Sequence, residues 1–126
     1  MTKTEISRQG PTDAPIPEHV RHVGFVAHSQ NDIIVICNPS PYTKEKLAYL
    51  GGEFTKDEWI LMARGETEIA ALFDILRTHG VPFGGAAHGW PPAAIFELYR
   101  EKGLLTGNFR EILFYGPDRG WEIYER

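Results

Sequence analysis

The stretch Ile33-Ile34-Val35-Ile36, followed by Cys37 and closed by Asn38-Pro39, most constrains the fold of this chain. Four β-branched residues in a row are stiff at χ1 and favour an extended backbone. They show no polar alternation, the pattern of a strand covered on both faces. A chain with such a strand must build a sheet around it and then cover that sheet. The preceding residues supply the first neighbour. Residues 22–29 alternate, with Val23, Phe25 and Ala27 on one face and His22, Gly24, Val26 and His28 on the other. Gln30-Asn31 lie at the turn of the resulting hairpin, where Asn tolerates a left-handed backbone.

The covering elements follow. After Asn38-Pro39, Ser40 is placed to cap a short helix with Pro41 at its first position, and Gly51-Gly52 end it. Residues 66–79 form the clearest helix. Ile69, Leu72, Phe73 and Leu76 fall at i, i+3, i+4 and i+7 on one stripe. Glu66 and Glu68 suit its positive end, Arg77 and His79 its negative end, and Gly80 stops it. Residues 91–102 form the last helix, with Ile95, Leu98 and Tyr99 on one face. Gly103 ends it, and Leu104 or Leu105 is placed to fold back on that end. Residues 53–64 carry two signals. Thr55 and Glu58 match a helix capping box, but Trp59-Ile60-Leu61-Met62-Ala63 is short and Gly65 follows, so the segment is expected as a strand.

The chain closes with two strands, residues 109–115 and 121–124, around the turn Gly116-Pro117-Asp118-Arg119-Gly120. The expected order is β-β-α-β-α-α-β-β. Strands at both ends with helices between them define an α+β fold: a single domain, a mainly antiparallel sheet packed by helices, and a C-terminal β-hairpin. Residues 19–126 are assigned to this domain. Residues 1–18 are expected as a mobile tail, because Met1, Ile6, Ala14 and Ile16 are their only apolar side chains and Pro11, Pro15 and Pro17 interrupt them. They also lack the continuous apolar run of a secretory signal. With the single cysteine, Cys37, this favours a cytoplasmic location.

Charge narrows the partners. The net charge is −4. Residues 1–50 carry five basic and five acidic groups, and residues 51–126 carry eight and twelve. Nucleic-acid binders concentrate Lys and Arg in a stripe, because phosphate neutralisation dominates their affinity. The tightest basic grouping here is Lys44-Glu45-Lys46, so nucleic acid is not the expected partner. An acidic second half suits a basic protein instead. No stretch reaches the roughly 20 apolar residues of a membrane span.

Catalytic patterns are sparse. His22 and His28 share a strand face but are six residues apart, about 20 Å along a strand, so they cannot hold one ion. His19 and His22 offer two ligands where zinc wants three or four. No metal or cofactor is expected. Cys37 ends an apolar strand, the setting of a buried small hydrophobe rather than a nucleophile. Glu97 and Glu101 are neighbours on the last helix, with Arg100 and Lys102 beside them, and read as solvated charge. The Gly-x-Ser-x-Gly elbow and the phosphate-cradling glycine loop are both missing.

What stands out is the glycine-rich loop Gly84-Gly85-Ala86-Ala87-His88-Gly89-Trp90-Pro91-Pro92 and the aromatic hairpin after it. From Phe83 onward the chain holds nine of its fifteen aromatics. Scaffold-held loops and exposed aromatics are where binding residues concentrate. The expected function is a non-catalytic protein-interaction module, acting as regulator, inhibitor or adaptor. Its binding residues are Phe83, His88, Trp90, Tyr115, Arg119 and Trp121, on loop 83–92 and the hairpin. An edge strand of the hairpin offers pairing to a partner or to a second copy, as a homodimer. Two alternatives accompany this reading. Helix 66–79, helix 91–102 and the hairpin with Arg119 at its tip resemble in outline a winged-helix DNA-binding regulator, although Glu97 and Glu101 on the recognition helix would repel phosphate. A small enzyme or ligand-binding protein would use His88 as its acid/base group.

Overall fold

The computed structural model describes residues 25–30, 32–55, 57–85, 91–115 and 117–126, with the side chains of Phe25, His28, Ser29 and Gln30 excepted. The expected tail, residues 1–18, lies outside them, as do His19 and His22.

The Ile-Ile-Val-Ile stretch forms β2 (Ile33–Cys37), paired antiparallel with β1 (Phe25–Gln30). Asp32 adopts a left-handed backbone at the turn. Helix α1 (Pro41–Leu47) runs into a 3-10 turn, Ala48–Leu50. Ser40 caps α1, its Oγ accepting from the Thr43 amide at 3.2 Å, with Pro41 in the first turn as expected.

The ambiguous segment forms two strands, β3 (Glu53–Phe54) and β4 (Glu58–Met62). The capping-box residues explain the ambiguity. Thr55 Oγ1 accepts from the Glu58 amide at 3.0 Å, as at a helix start. The Thr55 amide, however, donates back to the Glu58 carbonyl at 2.8 Å, which closes a tight turn instead. The same local hydrogen bond serves both structures. The apolar stretch from Trp59 then pairs with β2 along its whole length, so pairing with a ready strand decides the outcome.

Helix α2 (Gly65–Thr78) and helix α3 (Pro92–Glu101) cover the sheet. Both end in the same device. Gly80 and Gly103 take positive φ, and the next amide reaches back into the last turn: Val81 to Leu76 at 3.0 Å, Leu104 to Tyr99 at 2.8 Å. Leu105 is the residue that folds back into the core, and Leu104 stays exposed.

Between the helices lies a strand that periodicity does not reveal, β5 (Phe83–Gly84). Two residues are too few to carry a pattern. It pairs parallel with β1 and with β6 (Arg110–Phe114), and β6 pairs antiparallel with β7 (Trp121–Glu125). The result is a seven-stranded sheet of order β3-β4-β2-β1-β5-β6-β7. Four of its six pairings are antiparallel, and α3 makes the crossover between the adjacent parallel strands β5 and β6. The fold is α+β, as expected, with a mixed sheet.

The main core lies on the face covered by all three helices. Ile34, Ile36, Trp59 and Leu61 of the sheet meet Leu47, Ile69, Phe73, Leu76, Phe96 and Tyr99 of the helices. Alternate residues of β2 point away and are only half-buried, so Ile33, Val35 and Cys37 are less enclosed than an unbroken apolar stretch suggests. On that second face Ile112 is buried among Ala27, Cys37, Trp121 and Ile123, while Met62 is 66% exposed.

Candidate functional site

The aromatics of the last third divide into two groups by position. Phe83, Phe96, Phe109 and Tyr99 join Phe73 beneath the helices. Phe96 stacks on Phe109 with centroids 4.2 Å apart, and Phe83 meets Phe109 edge-on at 5.8 Å and Phe73 at 4.8 Å. Phe83 is fully buried. It was expected on the binding surface; it lies in the core instead, because the residue after Pro82 enters β5 at the middle of the sheet. His88 and Trp90 lie outside the described residues.

The hairpin places the other group. Tyr115, directly after β6, is 40% exposed and Tyr124, on β7, is 39% exposed. Glu122 and Tyr124 are two apart on one strand and so share a face. The Tyr124 hydroxyl lies 2.6 Å from Glu122 Oε1 and 3.1 Å from the Tyr115 hydroxyl. From the turn, Arg119 lays its guanidinium over the Tyr115 ring at 4.3 Å and donates to Glu122 Oε2 at 2.7 Å. Both carboxylate oxygens of Glu122 are therefore engaged. The Tyr124 hydroxyl, and then Arg119, hold its carboxyl below the usual range. The same carboxylate, followed by Tyr115, pushes the Tyr124 hydroxyl up. Trp121 points to the opposite face, its ring 5.1 Å from Phe114. The hairpin thus brings Tyr115 and Arg119 together and sends Trp121 to the other side of the sheet. Sequence reasoning missed Glu122 and Tyr124; their signal is the i, i+2 spacing on a strand that pairs with β6, which Tyr115 directly follows.

A second cluster joins the hairpin to α3. Arg126 pairs with Glu111 and, at 2.8 Å, with Glu97. Arg100 pairs with Glu97 at 2.6 Å and donates to the Gly107 and Arg126 carbonyls. Both guanidiniums lie over the Phe109 ring, at 5.2 Å for Arg100 and 6.0 Å for Arg126. The Arg100 hydrogen bond is the main cause holding the Glu97 carboxyl below its ordinary value. Glu97 is thus engaged in the fold rather than simply solvated. Glu111 is only 8% exposed. Its carboxylate rests against Gly85, where any Cβ would collide with it. This fastens the start of the glycine loop to β6, with the Gly85 amide donating to the Ile112 carbonyl at 2.9 Å. Every charge in the cluster has a partner inside the fold, so its reading is structural.

Among the described residues no group of three or more His, Cys, Asp and Glu is arranged to hold a metal ion. Burial, and then the nearby Glu58 and Asp57, push the Cys37 thiol up to about 11. A thiol held protonated in this way is a poor nucleophile at neutral pH. The winged-helix outline is not met: β5 separates the two helices and enters the sheet, and the hairpin completes that sheet instead of standing apart as a wing. No described helix is long and apolar enough to cross a membrane. Comparison with known proteins finds no matching family model, no matching curated protein and no matching solved structure.

Proposed function

We propose that this chain is a non-catalytic protein-interaction module that docks its partner on the β6–β7 hairpin and the glycine loop 83–92. It would act as a regulator, inhibitor or adaptor in the cytoplasm. The observation that carries the reading is the hairpin's set of exposed Tyr115, Arg119 and Tyr124 around half-buried Glu122 at the end of the sheet. Tyr and Arg are the residue types that dominate binding hot spots. Strand β7 is the edge of the described sheet, and pairing of that edge with a partner strand or with β7 of a second copy is part of the proposal. The net charge of −4 favours a basic partner.

The test begins with capture from the source cell and identification of the partner by mass spectrometry. Calorimetric titration then compares the wild-type chain with Tyr115→Ala and Tyr124→Ala. Each substitution is expected to weaken binding by about 2 kcal/mol or more, as hot-spot truncations do. Unchanged affinity in both variants would remove the hairpin from the interface. Duplex DNA titrated at two salt concentrations should bind poorly; tight, salt-dependent binding would favour nucleic acid instead.

A second reading has one observation in its favour. The glycine loop leaves a parallel strand, β5, and enters α3 within a β-α-β crossover. Open sheets bind small ligands at such strand ends. A ligand-binding or catalytic role there would use His88, and His88→Ala would then lower turnover by on the order of 10²-fold or more.

A further inference from the structure

We propose that the hairpin face is a receptor for an arginine side chain of the partner, and that Arg119 occupies it in cis. The inference rests on reading the hairpin as the docking surface and names the chemistry that surface recognises.

Three groups make the receptor: Glu122 and Tyr124 stand on β7, and Tyr115 directly follows β6. The Tyr115 ring offers a π-face, Glu122 offers a carboxylate, and the Tyr124 hydroxyl fixes that carboxylate from its other oxygen. Such a set matches a guanidinium on both counts that distinguish it from an ammonium: a flat face that stacks on an aromatic ring, and a fork that donates to a carboxylate. The Tyr124–Glu122 and Tyr124–Tyr115 hydrogen bonds do not involve Arg119, so these three groups are held by one another as well as by it.

Arg119 differs from the other three in how it is held. It belongs to the turn, and the hairpin closes without its side chain: the Tyr115 amide donates to the Gly120 carbonyl at 2.8 Å, and Phe114 pairs with Trp121. Its side chain is 60% exposed in the ion pair. Exposed pairs of this kind contribute little, so an incoming arginine displaces Arg119 at small cost. A strand from the partner added along β7 would carry its own side chains past this face.

The test uses the full-length chain and N-acetyl-arginine methylamide as probe, with the neutral N-acetyl-citrulline methylamide beside it. Side-chain NMR signals of Tyr115 and Tyr124 report binding. Signals of Phe73 and Phe83 report that the core is intact. Arg119→Ala should bind the arginine probe about threefold more tightly than wild type, the gain expected on removing an exposed ion pair that competes for the site. Arg119→Ala/Glu122→Gln should lose that gain, and the citrulline probe should bind neither variant. No saturable shift in Arg119→Ala, equal binding by both variants, or equal binding of citrulline would overturn the proposal. Those results would leave the docking surface itself standing, because that is judged separately by the effect of Tyr115→Ala and Tyr124→Ala on partner affinity.

Discussion

The aromatic cluster beneath α2 and α3 and the aromatic set on the hairpin are built from the same residue types and put to opposite uses. Phe73, Phe83, Phe96 and Phe109 meet each other face and edge with no solvent between them. Tyr115 and Tyr124 carry hydroxyls, lie beyond the helices and meet Arg119 and Glu122 instead of other rings. What separates the groups is position in the sheet. The central strand β5 and the start of β6 are roofed by helices, while the far end of β6 and the edge strand β7 are not. An aromatic residue stabilises a fold only where its surroundings exclude water; elsewhere the same ring is available for recognition.

The contrast is broken most sharply by truncation in the core. Phe73→Ala should lower stability by about 3–5 kcal/mol in urea or thermal unfolding. A loss below about 1 kcal/mol would mean the helix-covered cluster does not hold the fold together.

The next effect concerns the turn that precedes β3. Gly52 has φ of 82°, and a Cβ there would run into the Ile60 carbonyl. Gly52→Ala should therefore cost about 1–3 kcal/mol, as residues forced into sparsely populated backbone conformations do. A neutral result would show that this end of the sheet relaxes freely, unlike the roofed centre.

Cys37 gives a smaller, pH-dependent effect. Its folded-state value is raised from 9.0 to about 11, burial being the largest cause. The unfolded thiol ionises first as pH rises, so stability is unaffected below about pH 9 and falls between about 9 and 11. Cys37→Ser, which removes this titration, should flatten the alkaline decline in melting temperature. Thiol alkylation at pH 8 should also be slow in the native chain and fast in urea.

Much of the architecture was legible because its signals are local. The stripe of Ile69, Phe73 and Leu76, the Ser40 cap and the glycine stops all act within a few residues of themselves, and each element they define is present. The strand expected over residues 53–64 is present as β4, but the separate strand β3 and the short β5 were not legible, because two residues show no period and each exists only through its pairing. Thr55 and Glu58 make one hydrogen bond in either outcome, and Phe83–Gly84 is too brief to show a period. The same limit governs the candidate site. Tyr115 and Arg119 stood out as turn-flanking residues. Glu122 and Tyr124 gain meaning only when β7 lies beside β6, and Phe83 reads as surface until β5 is placed in the middle of the sheet.

The smallest expected change in stability carries the most weight for function. Tyr115→Ala/Tyr124→Ala should unfold within about 0.5 kcal/mol of wild type for each substitution, as surface changes do. The most direct measurement combines urea unfolding of this double variant and of Phe73→Ala with titration of the double variant against the captured partner. The account predicts near-wild-type unfolding for the hairpin variant together with at least about 30-fold weaker binding, the equivalent of 2 kcal/mol. A hairpin variant that unfolds like Phe73→Ala while binding its partner as tightly as wild type would contradict it.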